Sequence, residues 1–161
     1  MSNEVKVMTL DQQRASQLKW DLRFLEMAKH PKSWSKDPST QVGALLVSPD
    51  RREIIAGYNG FPTRLSDDAA LYADRETKYS RILHAEENAV INARRNLEGY
   101  TLYSPVPPCT HCALVAIQAG IHACVVETPS EDILSRWGDS IMNAVALFEE
   151  AGVKYREIDR G

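Results

Sequence analysis

The chain has 161 residues, 43% of them hydrophobic and 25% charged, with 19 Lys and Arg against 22 Asp and Glu for a formal net charge of −3. These proportions exclude collagen-like, disordered and disulfide-scaffold classes and fit one domain, 1–161, with apolar surface enough for its own core. The near-neutral charge argues against a dedicated nucleic-acid binder, and no apolar run approaches the roughly 18–20 residues of a membrane span.

Met1 to Met8 is mixed and polar and carries no signal-peptide pattern. An odd number of cysteines, three, suits a reducing compartment and a metal or reactive site better than a disulfide framework. A cytoplasmic protein is the expectation.

In chain order, Leu10 to Lys29 has apolar residues at Leu18, Leu22, Leu25 and Ala28, widened by Trp20, Phe24 and Met27, which predicts a helix stopped by Pro31. Val42–Val47 and Ile54–Tyr58 are short apolar runs around a Pro49–Arg52 turn, a predicted hairpin. Phe61 to Leu83 is polar and without period, a long connection of the kind that is functional or carries local helix. Beyond it a helix is predicted from Glu86 to Arg95, a strand at Tyr100–Tyr103, and a helix from Cys109 to Gln118 stopped at Gly120. A buried-type strand at Ile121–Glu127, a helix from Ile133 to Ala151 and a last strand at Val153–Ile158 follow. Strands alternating with helices predict an α/β domain with helices on both faces of the sheet.

Two short elements carry chemistry: His84-Ala85-Glu86 and Pro108-Cys109-Thr110-His111-Cys112. Each opens a predicted helix, where unpaired amides leave partial positive charge and favour the thiolates zinc needs. Pro108 costs no hydrogen bond at such a start. Two thiolates and an imidazole make three zinc ligands, His84, Cys109 and Cys112, with the fourth tetrahedral position left for water, as in catalytic sites. His111 is a candidate fourth ligand for a structural site, although one ring does not easily share the metal with both neighbours. Glu86 stands beside such a water as a proton carrier. H-x-E followed by P-C-x-x-C is the signature of zinc-dependent nucleobase deaminases.

His84-Ala85-Glu86-Glu87-Asn88-Ala89 with Pro108–Cys112 resembles the cytidine deaminase-like superfamily, and the finer resemblance is to deoxycytidylate (dCMP) deaminases. It extends over Ser35-Lys36-Asp37-Pro38-Ser39-Thr40-Gln41-Val42-Gly43-Ala44, Gly57-Tyr58-Asn59-Gly60-Phe61-Pro62, Ser66-Asp67-Asp68, Thr77-Lys78-Tyr79, Gln118–Ile121 and Ala151-Gly152-Val153, from about Trp20 to Ile158. The resemblance implies a three-layer α/β/α sandwich on a mixed sheet of about five strands. It implies hydrolysis of dCMP to dUMP and ammonia for thymidylate synthesis, with Glu86 moving protons between a zinc-activated water, N3 and the leaving amine. Asn59 is expected at the sugar and the Ala85 amide at the base carbonyl. Phosphate candidates are Lys36, Thr40 and Arg156, with Ser39, Lys78 and Arg81. Gly57, Tyr58, Asn59 and Gly60 are expected near a regulatory site between subunits of a homo-oligomer, commonly a hexamer, where dCTP activates and dTTP inhibits. Phe61 to Leu83 holds no Cys or His, so one zinc per subunit is expected. Tyr103–Pro108 is richer in proline than the family segment and is expected to reshape the pocket wall.

The competing readings are a tRNA adenosine deaminase, a deaminase of another cytosine nucleotide, a single-stranded DNA cytosine deaminase and a zinc-stabilised nucleotide sensor. The charge of −3 and 7% aromatic content argue against the nucleic-acid enzymes, and Glu86 against the sensor. Asn59-Gly60 also has the composition of a tight turn. Cys124 is expected in the core, and Trp34 and Trp137 in core or interface ahead of a base-stacking role.

Overall fold

The computed structural model describes residues 7–161, so most of the N-terminal stretch read for a targeting signal lies outside the described residues. Thr9 opens the first helix, α1 (Leu10–Ala28), with a capping box in which its hydroxyl accepts from the Gln12 amide and the Gln12 side chain accepts from Thr9 N–H. Pro31 then starts a single 3-10 turn, Pro31–Trp34. The hairpin β1 (Gly43–Val47) and β2 (Ile54–Tyr58) follows. The polar connection after it holds two short helices, α2 (Ala69–Ala73) and α3 (Arg75–Arg81). Next come α4 (Ala85–Ala93), β3 (Thr101–Ser104), α5 (Thr110–Ala119), β4 (Ala123–Glu127), α6 (Glu131–Glu150) and β5 (Lys154–Ile158). Gly120 caps α5 in the left-handed region at φ 88°, a conformation glycine adopts without strain.

The five strands form one mixed sheet in the order β2-β1-β3-β4-β5. β1 runs antiparallel to β2 and β3, whereas β3, β4 and β5 are parallel. Alternation along the strands divides the core. Leu45, Val47, Tyr103 and Val125 pack against Phe24, Leu25 and Ala28 of α1. Ala44, Leu46, Leu102, Cys124 and Val126 face the other way, toward α4, α5 and α6. The result is the expected three-layer α/β/α arrangement, with Cys124 in its core.

On α1 the buried face is Asp21, Phe24, Leu25 and Ala28. Leu18 and Met27 of the sequence stripe are exposed, because α1 touches the sheet along a narrower line than its apolar residues cover. Small residues set the opposite layer. Ala85 and Ala89 of α4 lie so close to β2 that a Cβ on Gly57 would stand 2.2 Å from the Ala85 carbonyl oxygen and 2.5 Å from the Ala89 nitrogen. This close approach brings the start of α4 to the end of the sheet where β2 and β3 finish and β1 begins. In α/β sheets ligands bind beyond the carboxyl ends of parallel strands, and the chemistry-bearing residues collect at that edge.

Candidate active site

His84 is the N-cap residue of α4 and Cys109 that of α5, and Cys112 lies in the first turn of α5. Two helix starts therefore aim their positive ends at one point. Their ligand atoms lie within 4.8 Å of one another, the one such group among the described residues. His84 Nδ1 is 3.5 Å from Cys109 Sγ and 3.3 Å from Cys112 Sγ. Ordinary Zn–S and Zn–N bonds at a tetrahedral angle set nitrogen and sulfur about 3.5 Å apart, so the donor set fits zinc in kind and in spacing. Hydrogen bonding from Cys112, with a further contribution from His84, holds the Cys109 thiol down to about 3 despite its burial. The bond to Cys109 and burial push Cys112 up, and the hydrogen bond between His84 and Cys109 raises His84 to about 9. His111 is not part of the group. Its ring is exposed and its Nε2 lies 2.8 Å from Glu87 Oε1.

Glu86 is buried two residues on from His84. Its Oε2 is 3.7 Å from Cys112 Sγ, and its Oε1 is 3.4 Å from the Ser104 hydroxyl at the end of β3. Burial raises its pKa above the ordinary glutamate value, the property required of a side chain that takes up and releases a proton near neutral pH. Ser104 also donates to the Val106 carbonyl at 2.6 Å, which pins the proline-rich segment. That segment supplies Val106 and Pro107 to a cavity wall.

The cavity opens above Glu86, His84 and Cys109 and is lined largely by apolar groups. Thr40, Asn59 and Ala85, three of the candidate substrate contacts, border it. Asn59 is held in place by the preceding loop. Its Oδ1 accepts from the Val42 amide at 2.8 Å and its Nδ2 donates to the Thr40 carbonyl at 2.7 Å. Neither Asn59 nor Gly60 has positive φ, so the pair does not form the tight turn its composition allowed.

Other candidates are placed elsewhere. Lys36 is exposed and its ammonium pairs with Asp67 away from the cavity lining. Arg156 lies on the α1 side of the sheet, where it grips buried Asp21 at 3.0 Å while the Tyr103 hydroxyl donates to the same carboxylate at 2.8 Å. Neither of these two phosphate candidates lines the cavity. Gly57 needs no ligand to explain it, since α4 occupies the space of its side chain. Tyr58 is partly exposed on the edge strand, edge-on to Trp34, whereas Gly60 is buried and bridged to Leu83.

Lys78, one of the phosphate candidates, lines the cavity, but its ammonium is engaged with Asp37 at 2.7 Å and with the Ser39 hydroxyl at 2.9 Å. Two features were missed in the sequence. Glu87 accepts from the His84 amide at 2.9 Å while holding His111, and so ties the two ligand-bearing helix starts together. Helix α6 contributes Ile133, Trp137 and Ile141 to the wall, at a spacing of four that a helical reading could have assigned to one face.

The family model for the cytidine and deoxycytidylate deaminase zinc-binding region matches residues 18–128. An uncharacterised deaminase in the luxG 3' region of Aliivibrio fischeri is 46% identical over 136 residues, 84% of this chain and 91% of the relative. The deoxycytidylate deaminase of Mus musculus is 34% identical over 152 residues, 89% of this chain and 82% of the relative. The crystal structure of apo dCMP deaminase from cyanophage S-TIM5 superposes with a TM-score of 0.65 at 19% identity, covering 87% of this chain and 98% of that one. A guanine deaminase from Nitrosomonas europaea has the same fold at a TM-score of 0.54 and 16% identity, covering 96% of this chain and 80% of that one. With its metal-ligand triad and buried glutamate, the chain belongs to the zinc-dependent cytidine and deoxycytidylate deaminase family.

Proposed function

We propose that the protein hydrolyses dCMP to dUMP and ammonia. The observation that carries the chemistry is the buried Glu86 carboxyl set against the His84–Cys109–Cys112 group at the floor of a cavity. The fold is shared with a guanine deaminase and does not choose the base. Support for the substrate comes from relatives named deoxycytidylate deaminase that match over most of this chain.

Zinc, when bound by His84, Cys109 and Cys112, supplies the Lewis acidity that makes water a nucleophile near neutral pH. The remaining steps belong to Glu86. It accepts a proton from the water as the water oxygen bonds C4, and delivers that proton to N3 of the ring. It then carries the second water proton to the exocyclic amine, the C4–N bond breaks, and ammonia leaves. The low polarity around Glu86 raises its pKa above the ordinary glutamate value and so favours its taking up the proton. The Ala85 amide, at the first turn of α4, is a donor for the base carbonyl. Asn59, fixed by Thr40 and Val42, is offered to the sugar. Thr40 and Lys78 remain for the phosphate, with Lys78 sharing its charge with Asp37.

The proposal includes regulation by dCTP and dTTP in a homo-oligomer, read from the resemblance and supported by the exposure of Tyr58 at the sheet edge. Ammonia release from zinc-loaded protein tests both parts. With dCMP, dCTP, deoxycytidine and a tRNA anticodon stem-loop as separate substrates, turnover is expected with dCMP, raised by added dCTP and lowered by dTTP. Turnover of the tRNA alone would overturn the substrate. Hyperbolic kinetics with dCMP, indifferent to both triphosphates, would overturn the regulation.

A further inference from the structure

Trp137 is half exposed, 50%, yet lines the cavity above the metal ligands. It belongs neither to the core nor to any aromatic pair or cation–π contact among the described residues. Tyr79, on the α3 side of the same cavity, differs. Its ring already carries Arg75 at 5.3 Å and Lys78 at 5.8 Å. Trp137 thus presents a large aromatic surface to the cavity that nothing in the chain uses.

Its placement is controlled. One turn further along α6, the Ser140 hydroxyl accepts from the Thr110 amide at 3.0 Å, and Thr110 Oγ1 donates to the Ser140 carbonyl at 3.2 Å. Asn143 adds a bond to the same Thr110 oxygen at 3.2 Å. Thr110 lies between the two cysteine ligands, so this polar knot fastens α6 directly to the helix start that carries them. Ile141 beyond the knot is buried, whereas Ile133 and Trp137 before it reach outward along the cavity wall. α6 is therefore held as an overhang, apolar on its inner side, at a fixed offset from the metal site.

We propose that Trp137 is a substrate-binding residue, the aromatic wall against which the nucleotide ring packs when C4 is presented to the metal site. The inference rests on the deaminase reading above and deepens it by naming a specificity element. A planar ring against an indole is sequence- and substituent-tolerant but requires a ring, so the wall favours a nucleotide delivered base-first.

The test uses the zinc-loaded full chain, with W137A and W137F. Loss of a base–aromatic stack corresponds to roughly 5- to 150-fold in affinity. W137A is expected to raise KM for dCMP within that range, with the loss falling on KM more than on kcat, and W137F to recover most of it. Titration with dUMP is expected to quench indole fluorescence in the wild type, and the quench to disappear in W137F although Trp20 and Trp34 remain. An unchanged KM in W137A with the quench retained in W137F overturns the inference while leaving the deaminase reading intact. So does a W137A variant that changes oligomeric state without moving KM. A wild type that neither turns over dCMP nor binds dUMP overturns the deaminase reading and the inference with it.

Discussion

In the proposed reaction the chemistry turns on Glu86, and its two contacts separate that role from that of the ligands. It touches Cys112 and Ser104 but contributes no atom to the His84–Cys109–Cys112 group. E86Q should therefore keep its zinc, measured by atomic absorption, while ammonia release falls at least about 10³-fold, the scale of lost proton transfer. Near-normal turnover would refute the assignment. Asp37 carries a second residue-scale prediction. It is fully buried, and burial alone would raise its pKa. The Lys78 ammonium and the Ser39 and Thr40 amides outweigh that and hold it below the ordinary aspartate value. A lowered native pKa means stability that is complete above the unfolded aspartate pKa, about 4, and lost as pH falls through the native one. Urea unfolding between pH 6 and 3 should show this loss in the wild type and less of it in D37N. At pH 7, D37N should be less stable by about 3 kcal/mol, since Lys78 is left buried without its partner. The His84–Cys109–Cys112 group, and the place of Glu86 beside it, were legible in the sequence because metal and proton chemistry demand fixed residue types at fixed spacing. The pairing of Lys36 with Asp67 and of Arg156 with Asp21 was not legible, because a cation's partner is set by tertiary contact. Nothing local announces that Asp21, 135 positions away, meets Arg156.

At the scale of elements, the contact between β2 and α4 determines where the site is. Gly57→Ala would drive a methyl group into backbone atoms of Ala85 and Ala89, neither of which can swing aside. The strand and helix must separate, and with α4 go His84 and Glu86. G57A is expected to cost at least about 1–3 kcal/mol in chemical denaturation and to weaken zinc retention against a chelator, whereas a mutation that merely removed an effector contact would leave zinc retention unchanged. Glu87 acts at the same scale. E87A, which frees the His84 amide and His111 together, should lower zinc affinity by roughly 10- to 100-fold, as loss of an outer partner does at other metal sites. Strands and long helices were legible because period and punctuation persist over several residues: all five strands and α1, α4, α5 and α6 fall within a few residues of expectation. α2 and α3 were not assigned as helices, because a polar segment without period carries no signal of its own. Their order comes from tertiary anchors instead, such as Tyr72 stacked on Phe61 and Lys78 locked to Asp37.

Across the whole molecule, the metal site is a clamp between parts of the chain far apart in sequence. His84 starts the helix that covers β1 and β2, and Cys109 and Cys112 start the one packed beside α6. Between these ligands the chain crosses the sheet through β3. A cation bound to all three groups joins the hairpin half of the fold to the parallel half, and it binds the native arrangement, since the unfolded chain does not hold the three atoms together. Zinc should therefore stabilise the fold by linkage, by about 4 kcal/mol when free metal exceeds its dissociation constant 1,000-fold. For a chain of this length each kcal/mol moves the melting temperature by about 2–4 °C. Stripping the metal with a chelator should lower the melting temperature by roughly 8–16 °C, and zinc but not magnesium should restore it, because two thiolates select a soft cation. C109S should lose most of this zinc-dependent shift. C124A should keep it, since Cys124 lies in the core beneath the helices and belongs to no ligand group. Calorimetry at fixed protein concentration decides the matter, and a melting temperature indifferent to zinc would show that the three side chains do not clamp the two halves.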